Sequence, residues 1–228
     1  MGVVQSQGEC ISKKCNSHDA GTWYTDGSFY CFSCGYYKPP NGVIAYKHRD
    51  IVKYVSVVRL PEDTVSYIPQ IAMDWLNKYN LTEEETHNFL WSSVEEKLVY
   101  PVLVNGDLIF YWSRYFPQRA PKNYSQGNLE FSPHILTHSS ECDTLYIVED
   151  IVSAIKVNRT SDVLCLFGSS IRDSWIRHIK QQGYKKVVIW LDYDKRISSL
   201  KSRSRLHSLL GCVVESKITE LDPKEHIK

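Results

Sequence analysis

Apolar and polar positions follow two different rhythms along this chain. In the first half, short apolar and aromatic strand-like runs are joined by hairpin turn signals. Thr22–Tyr30 reads TWYTDGSFY, in which Asp26-Gly27 is a hairpin turn signal between aromatic and β-branched flanks. Leu98–Val104 and Asp107–Trp112 are a second strand pair, joined by Asn105-Gly106. Between these pairs, Ile71–Tyr79 has helical spacing, and Thr82 followed by three glutamates predicts an N-capped helix start. From Thr144 the rhythm changes. Short apolar runs at Leu145–Val148, Val163–Phe167, Val187–Leu191 and Cys212–Glu215 are separated by helical stretches ending near Asn158, Gln182 and Leu210. Runs of that kind predict a parallel sheet with helices on both faces. The expected class is α/β, or α+β overall.

Composition changes this picture little. The 228 residues are 43% hydrophobic and 23% charged, within the range of ordinary globular chains and outside that of disordered ones. No apolar run approaches the roughly 20 residues that span a bilayer, and no secretory core follows Met1, so the expectation is a cytoplasmic protein without a membrane partner. The formal net charge is +1, but its distribution is uneven: Lys195 to Arg205 holds five basic residues and no acid. Such a stripe, which includes Lys195 and Arg196, suits a phosphate backbone or is a solvated helix face. The segment SRYFPQRAPKNY carries Arg114, Arg119 and Lys122 and no acid. These donors suit phosphate oxygens and would equally serve as surface charge.

Cysteine usage is concentrated at the amino terminus. Cys10 and Cys15, fifteen residues, then Cys31 and Cys34 give two close thiol pairs on either side of the first hairpin. A tetrahedral structural Zn²⁺ takes four thiolates so arranged, and a module of about 35 residues needs such a staple. His18 is a possible substitute ligand, although four cysteines already fill the tetrahedron. The aromatics Trp23, Tyr24, Tyr30 and Tyr36 either build the small core of this zinc ribbon or stack on unpaired bases. Cys165 and Cys212 fall in apolar runs and read as small core residues, and Cys142 as a loop residue.

The acids of the carboxy-terminal part sit at strand ends. Glu149 follows one apolar run, and Asp192 and Asp194 follow another. Open α/β sheets bind ligands beyond the carboxyl ends of their strands. In an extended segment, residues i and i+2 point to the same side, so Asp192 and Asp194 are expected to converge. Three converging carboxylates call for a divalent ion with oxygen ligands, Mg²⁺ or Mn²⁺. Solvated acids or helix caps are the alternative, and for Asp150 capping is the better reading.

Taken in order, CISKKC, CFSC, LPED, LVYPV, LYIVED, VVIWLDYD and LDPKE resemble the zinc-ribbon plus TOPRIM primases of phage replication systems. The resemblance covers nearly the whole chain. It implies a zinc ribbon at 1–40, a linker at 41–62, an N-terminal subdomain of a primase core at 63–140 and a TOPRIM subdomain at 141–228. It implies Glu149, Asp192 and Asp194 as catalytic metal ligands, with Asp222 as a further acidic position. It places Arg114 and Lys122 among basic residues that handle template or nucleoside triphosphate. The implied activity is a DNA primase, a nucleotidyltransferase that makes short RNA primers on single-stranded DNA from ribonucleoside triphosphates. The alternatives are a TOPRIM nuclease and a non-catalytic template-binding module. Three departures stand out: Asp150 where the family has Gly, a C-x4-C first pair, and Lys195-Arg196-Ile197 after the DxD acids. No G-x-x-x-x-G-K-[ST] occurs in the chain, so a helicase, or a polymerase partner, is expected in trans.

Overall fold

A computed structural model describes residues 4–12, 15, 17–34, 36–38, 58–119 and 121–227. The chain divides into two compact units, Met1–Tyr54 and Val55–Lys228. Of the expected linker, 41–57 lies outside the described residues; 58–60 has no regular structure, and Glu62-Asp63 form a turn.

The first unit is a four-stranded antiparallel sheet of β1 (Val4–Gly8), β2 (Gly21–Tyr24), β3 (Phe29–Cys31) and β4 (Tyr37–Lys38), paired in chain order. The turn between β2 and β3 forms at Asp26-Gly27, where Gly27 has φ +78° and Asp26 Oδ1 accepts from the Ser28 amide. Phe29 is fully buried, with Trp23 packed edge-on at 5.0 Å and Tyr36 at 6.3 Å. Those two aromatics therefore form the small core, while Phe32 and Tyr37 are exposed.

The second unit opens with an antiparallel sheet of β5 (Thr64–Val65), β6 (Leu90–Ser92), β7 (Lys97–Val104), β8 (Asp107–Tyr115) and β9 (Asn123–Gly127). The β7–β8 turn uses Asn105 and Gly106, both with positive φ (52° and 89°), the geometry that Asn-Gly favours. Helices α1 (Gln70–Asn77) and α2 (Glu83–Thr86) lie between β5 and β6. Thr82 caps α2 in a full capping box with Glu85, as the TEEE run predicts.

Gly127 closes β9 opposite Phe110 with φ +105°. A Cβ there would press on the Ile109 carbonyl and come within 2.7 Å of the Phe110 Cα. Gly127→Ala is expected to cost at least about 2 kcal/mol, since strained φ and a backbone clash combine. Urea unfolding of the variant measures it.

The remaining elements are β10 (His134–Leu136), β11 (Thr144–Val148), α3 (Ile151–Asn158), β12 (Asp162–Cys165), α4 (Asp173–Gln182), β13 (Lys186–Ile189), a 3₁₀ turn at Tyr193–Lys195, α5 (Arg196–Leu210), β14 (Val213–Ser216) and α6 (Pro223–His226). Their sheet runs β10-β12-β11-β13-β14. Strands β11 to β14 are parallel, and β10 adds an antiparallel edge. This is the expected α/β class, with one edge strand that the apolar pattern did not reveal. From β11 the chain crosses one way to β12, then back past β11 to β13. Right-handed crossovers in opposite directions put α3 and α4 on opposite faces. Accordingly α3 packs with α6, and α4 with α5. The order reverses between β11 and β13, so a crevice opens at their carboxyl ends. One buried cluster runs from Ala72 and Leu76 through Leu98 and Phe110 to Ile147, Val163 and Ile189, joining both sheets of this unit.

Candidate active site and zinc centre

In the first unit the four sulfurs of Cys10, Cys15, Cys31 and Cys34 all lie within 4.8 Å of one another. Cys10 Sγ is 3.7 Å from Cys34 Sγ, and Cys15 Sγ is 3.9 Å from Cys31 Sγ. A tetrahedron with Zn–S bonds of about 2.3 Å has S···S edges of about 3.8 Å. The donor set and spacing fit structural zinc. His18 lies apart, exposed and 3.2 Å from Glu9, so the tetrahedron is filled by cysteine alone.

In the second unit a cavity of about 290 Å³ lies at the switch point of the parallel sheet. Glu149 and Asp150 enter it from the end of β11, and Asp192 from the segment after β13. Arg114 on β8 and Lys122 just before β9 face them across the cavity, and Lys224 on α6 joins them. Trp75, Tyr79 and Trp112 supply an aromatic wall. Strand β8, the β8–β9 connection and α6 thus deliver cations to a crevice whose acids come from the parallel sheet.

The acids differ in their partners. Asp150 caps α3: its Oδ1 accepts from the amides of Val152 and Ser153 at 3.0 Å. Its Oδ2 accepts from Ser153 Oγ at 2.8 Å and from Lys224 Nζ at 3.0 Å. Glu149 Oε2 and Asp192 Oδ1 are buried and have no hydrogen-bond partner among the described residues. Burial pushes the Glu149 carboxyl up, with Asp194 and Asp150 adding repulsion against the pull of Lys195 and Lys224. Burial raises Asp192 more strongly, to about 7, with Lys224 opposing and Asp150, Asp222 and Glu149 adding to the rise. Two buried, unpaired carboxylate oxygens in one crevice are what an oxygen-seeking cation would satisfy.

Asp194 departs from the geometry expected of it. The chain leaves the extended form at Asp192, and Tyr193–Lys195 is a 3₁₀ turn, so the i, i+2 rule of strands does not operate. Asp192 keeps 23% side-chain exposure and Asp194 69%. Asp194 pairs with Lys195 at 2.8 Å, and that bond holds its carboxyl below the usual range. It still faces Glu149 closely enough to raise it. Asp222 is the residue preceding α6 and lies 3.1 Å from Lys224 Nζ.

The basic residues also separate. Arg114 stacks over Trp75 at 4.6 Å, and its buried Nε has no partner among the described residues. Burial lowers both Arg114 and Lys122, and for Lys122 the neighbouring Arg114 and Lys224 charges add to it. Arg119 is drawn away, stacked on Tyr115 at 3.9 Å and bonded to the Glu95 carbonyl. Arg196 stacks on Tyr193 at 4.7 Å, outside the cavity lining. Sequence reasoning missed Lys224 and the aromatic wall. LDPKE was visible as a motif, but only the fold brings its lysine to Asp150, 74 residues earlier.

No protein-family model matches the sequence, and no curated protein matches it. Solved structures do match in fold. The primase fragment of the bacteriophage T7 primase-helicase protein aligns with 98% of this chain and 94% of its own, at 13% identity and a TM-score of 0.55. The zinc-binding and RNA polymerase domains of the Aquifex aeolicus primase align with 99% of this chain and 77% of theirs, also at 13% identity and 0.55. The chain has a primase fold. No helix among the described residues is long and apolar enough to cross a membrane.

Proposed function

We propose that this chain is a DNA primase: a nucleotidyltransferase that makes short RNA primers on single-stranded DNA from ribonucleoside triphosphates. The observation that carries the reading is the pair of buried, unpartnered carboxylate oxygens on Glu149 and Asp192 at the switch point of a primase-like fold. These two residues, with Asp194 at the rim, would hold Mg²⁺ or Mn²⁺. A divalent ion so held would neutralise phosphate oxygens during in-line displacement. Asp222 enters through Lys224 rather than as a ligand.

The chain's own residues do the rest. Arg114 and Lys122 would take the triphosphate, since both face the acids across the cavity and a phosphate oxygen would satisfy the orphaned Arg114 Nε. The aromatic wall would shield that charge pairing from bulk water and so strengthen it. Lys195 and Arg196, beside the crevice, and Arg119 beyond it would guide the template backbone. The zinc ribbon would select the template, and a helicase or polymerase would act in trans.

The test is synthesis on a pool of single-stranded DNA templates with labelled ribonucleotides and Mg²⁺ or Mn²⁺. Short labelled RNA that requires template and metal is the expected product. Metal-dependent cutting of the DNA without RNA product would instead identify a nuclease.

A further inference from the structure

Lys224 stands among the acids of this crevice. Its Nζ is 3.0 Å from Asp150 Oδ2, 3.1 Å from Asp222 Oδ2 and 3.8 Å from Asp192 Oδ2. The side chain is only 15% exposed. The backbone that carries it is pinned too: the buried Lys156 on α3 donates to the Lys224 carbonyl at 2.8 Å. Asp150 starts the same helix α3, which packs on α6. The ammonium is therefore delivered to one fixed point among three carboxylates.

The acids divide between this ammonium and the open side of the crevice. Asp150 and Asp222 turn an oxygen to Lys224, and Asp192 offers it Oδ2 while its Oδ1 stays unpaired. Glu149 makes no ion pair with Lys224, and its Oε2 is the other unpaired oxygen.

We propose that the Lys224 ammonium is a built-in cation that fills one of two cation positions in the acid crevice, so that the site binds a single divalent ion, on the Glu149 and Asp192 side. The inference rests on the reading of this crevice as a metal-dependent nucleotidyl-transfer site. Lys224 is a positioning residue: it neutralises Asp150 and Asp222 and lies within ion-pair range of Asp192. A primary ammonium is a compact point charge that replaces a metal among carboxylates without needing coordination geometry. Asp150 and Lys224 then act as a unit, one adding a charge to the crevice and the other cancelling it.

The experiment is an Mn²⁺ titration of the zinc-loaded full chain, with bound ion counted by electron paramagnetic resonance and thermal unfolding followed with and without Mg²⁺. Wild type is expected to bind one Mn²⁺ per chain at the crevice, lost in Asp192→Asn. Lys224→Asp is expected to bind two. Lys224→Met, which keeps the stem and removes the charge, is expected to lose thermal stability without metal and regain it with Mg²⁺, a shift larger than that of wild type. Should Lys224→Asp fail to fold, Lys224→Met and Lys224→Gln still decide the matter through that shift. Two Mn²⁺ in wild type, or a Lys224→Met chain with unchanged count and unchanged Mg²⁺ shift, overturns the inference and leaves the primase reading intact. No crevice Mn²⁺ at all in wild type, with Asp192→Asn indistinguishable, overturns both.

Discussion

Replacing Asp192 with Asn is expected to lower metal-dependent primer synthesis by about 10²-fold or more while leaving the metal-free fold at least as stable at pH 8. The first effect follows from losing a charge that would hold the divalent ion at the reacting phosphate. The second follows from burial. Asp192 is raised from an ordinary 3.8 to about 7, so the folded chain prefers its protonated form. Its favourable contribution is complete below a pH of about 3.8 and is gone above about 7, and it is worth on the order of 2–4 kcal/mol. Metal-free wild type therefore loses stability as pH rises through that window. Mg²⁺ bound to the ionised carboxylate, as proposed, would restore what ionisation removes. The rise in melting temperature on adding Mg²⁺ should be larger at pH 8 than at pH 5.5 in wild type, and should shrink at both in Asp192→Asn. A variant that loses activity by unfolding would show the opposite thermal behaviour, so scanning calorimetry at the two pH values separates the causes.

Removing zinc is expected to have the largest structural effect. The first unit buries little: its core is Phe29 with Trp23 and Tyr36 against it. Four thiolates on one zinc contribute about 10–16 kcal/mol in modules of this size, which far exceeds what three aromatics supply. Cys31→Ser, or a strong chelator, should release one zinc per chain and unfold Val4–Lys38. Residues of Val55–Lys228 should keep their hydrogen-exchange protection, because that unit has its own continuous core. Elemental analysis and exchange mass spectrometry check both halves. Retention of protected amides in β2 and β3 after zinc loss would mean that the sheet holds without its metal.

The four-cysteine cluster and the parallel sheet were legible because local chemistry dictates them. Cysteine pairs flanking an Asp-Gly hairpin have few other uses, and fully apolar runs of four or five residues belong in strands buried on both faces. Thr82, Asn105-Gly106 and Gly211 sit where capping and turn geometry require them. Strand β10 was not legible: three residues after Pro133, half-buried, give no periodic signal, and only pairing with β12 makes them a strand. For Asp194 the strand rule does not operate, because the backbone enters a 3₁₀ turn at Tyr193. The capping role read for Asp150 is one of the two that its carboxylate performs. The ion pair to Lys224 depends on α6 folding back onto α3, a contact no local pattern encodes.

The most direct test of the central claim is the balance between pyrophosphate and nucleotide during extension. A short RNA primer annealed to single-stranded DNA is offered one complementary labelled ribonucleotide with Mg²⁺ or Mn²⁺. Nucleotidyl transfer at the Glu149–Asp192 crevice predicts one pyrophosphate released per nucleotide added, dependent on metal and absent in Asp192→Asn. Intact primer, no pyrophosphate and shortened DNA in wild type would contradict it.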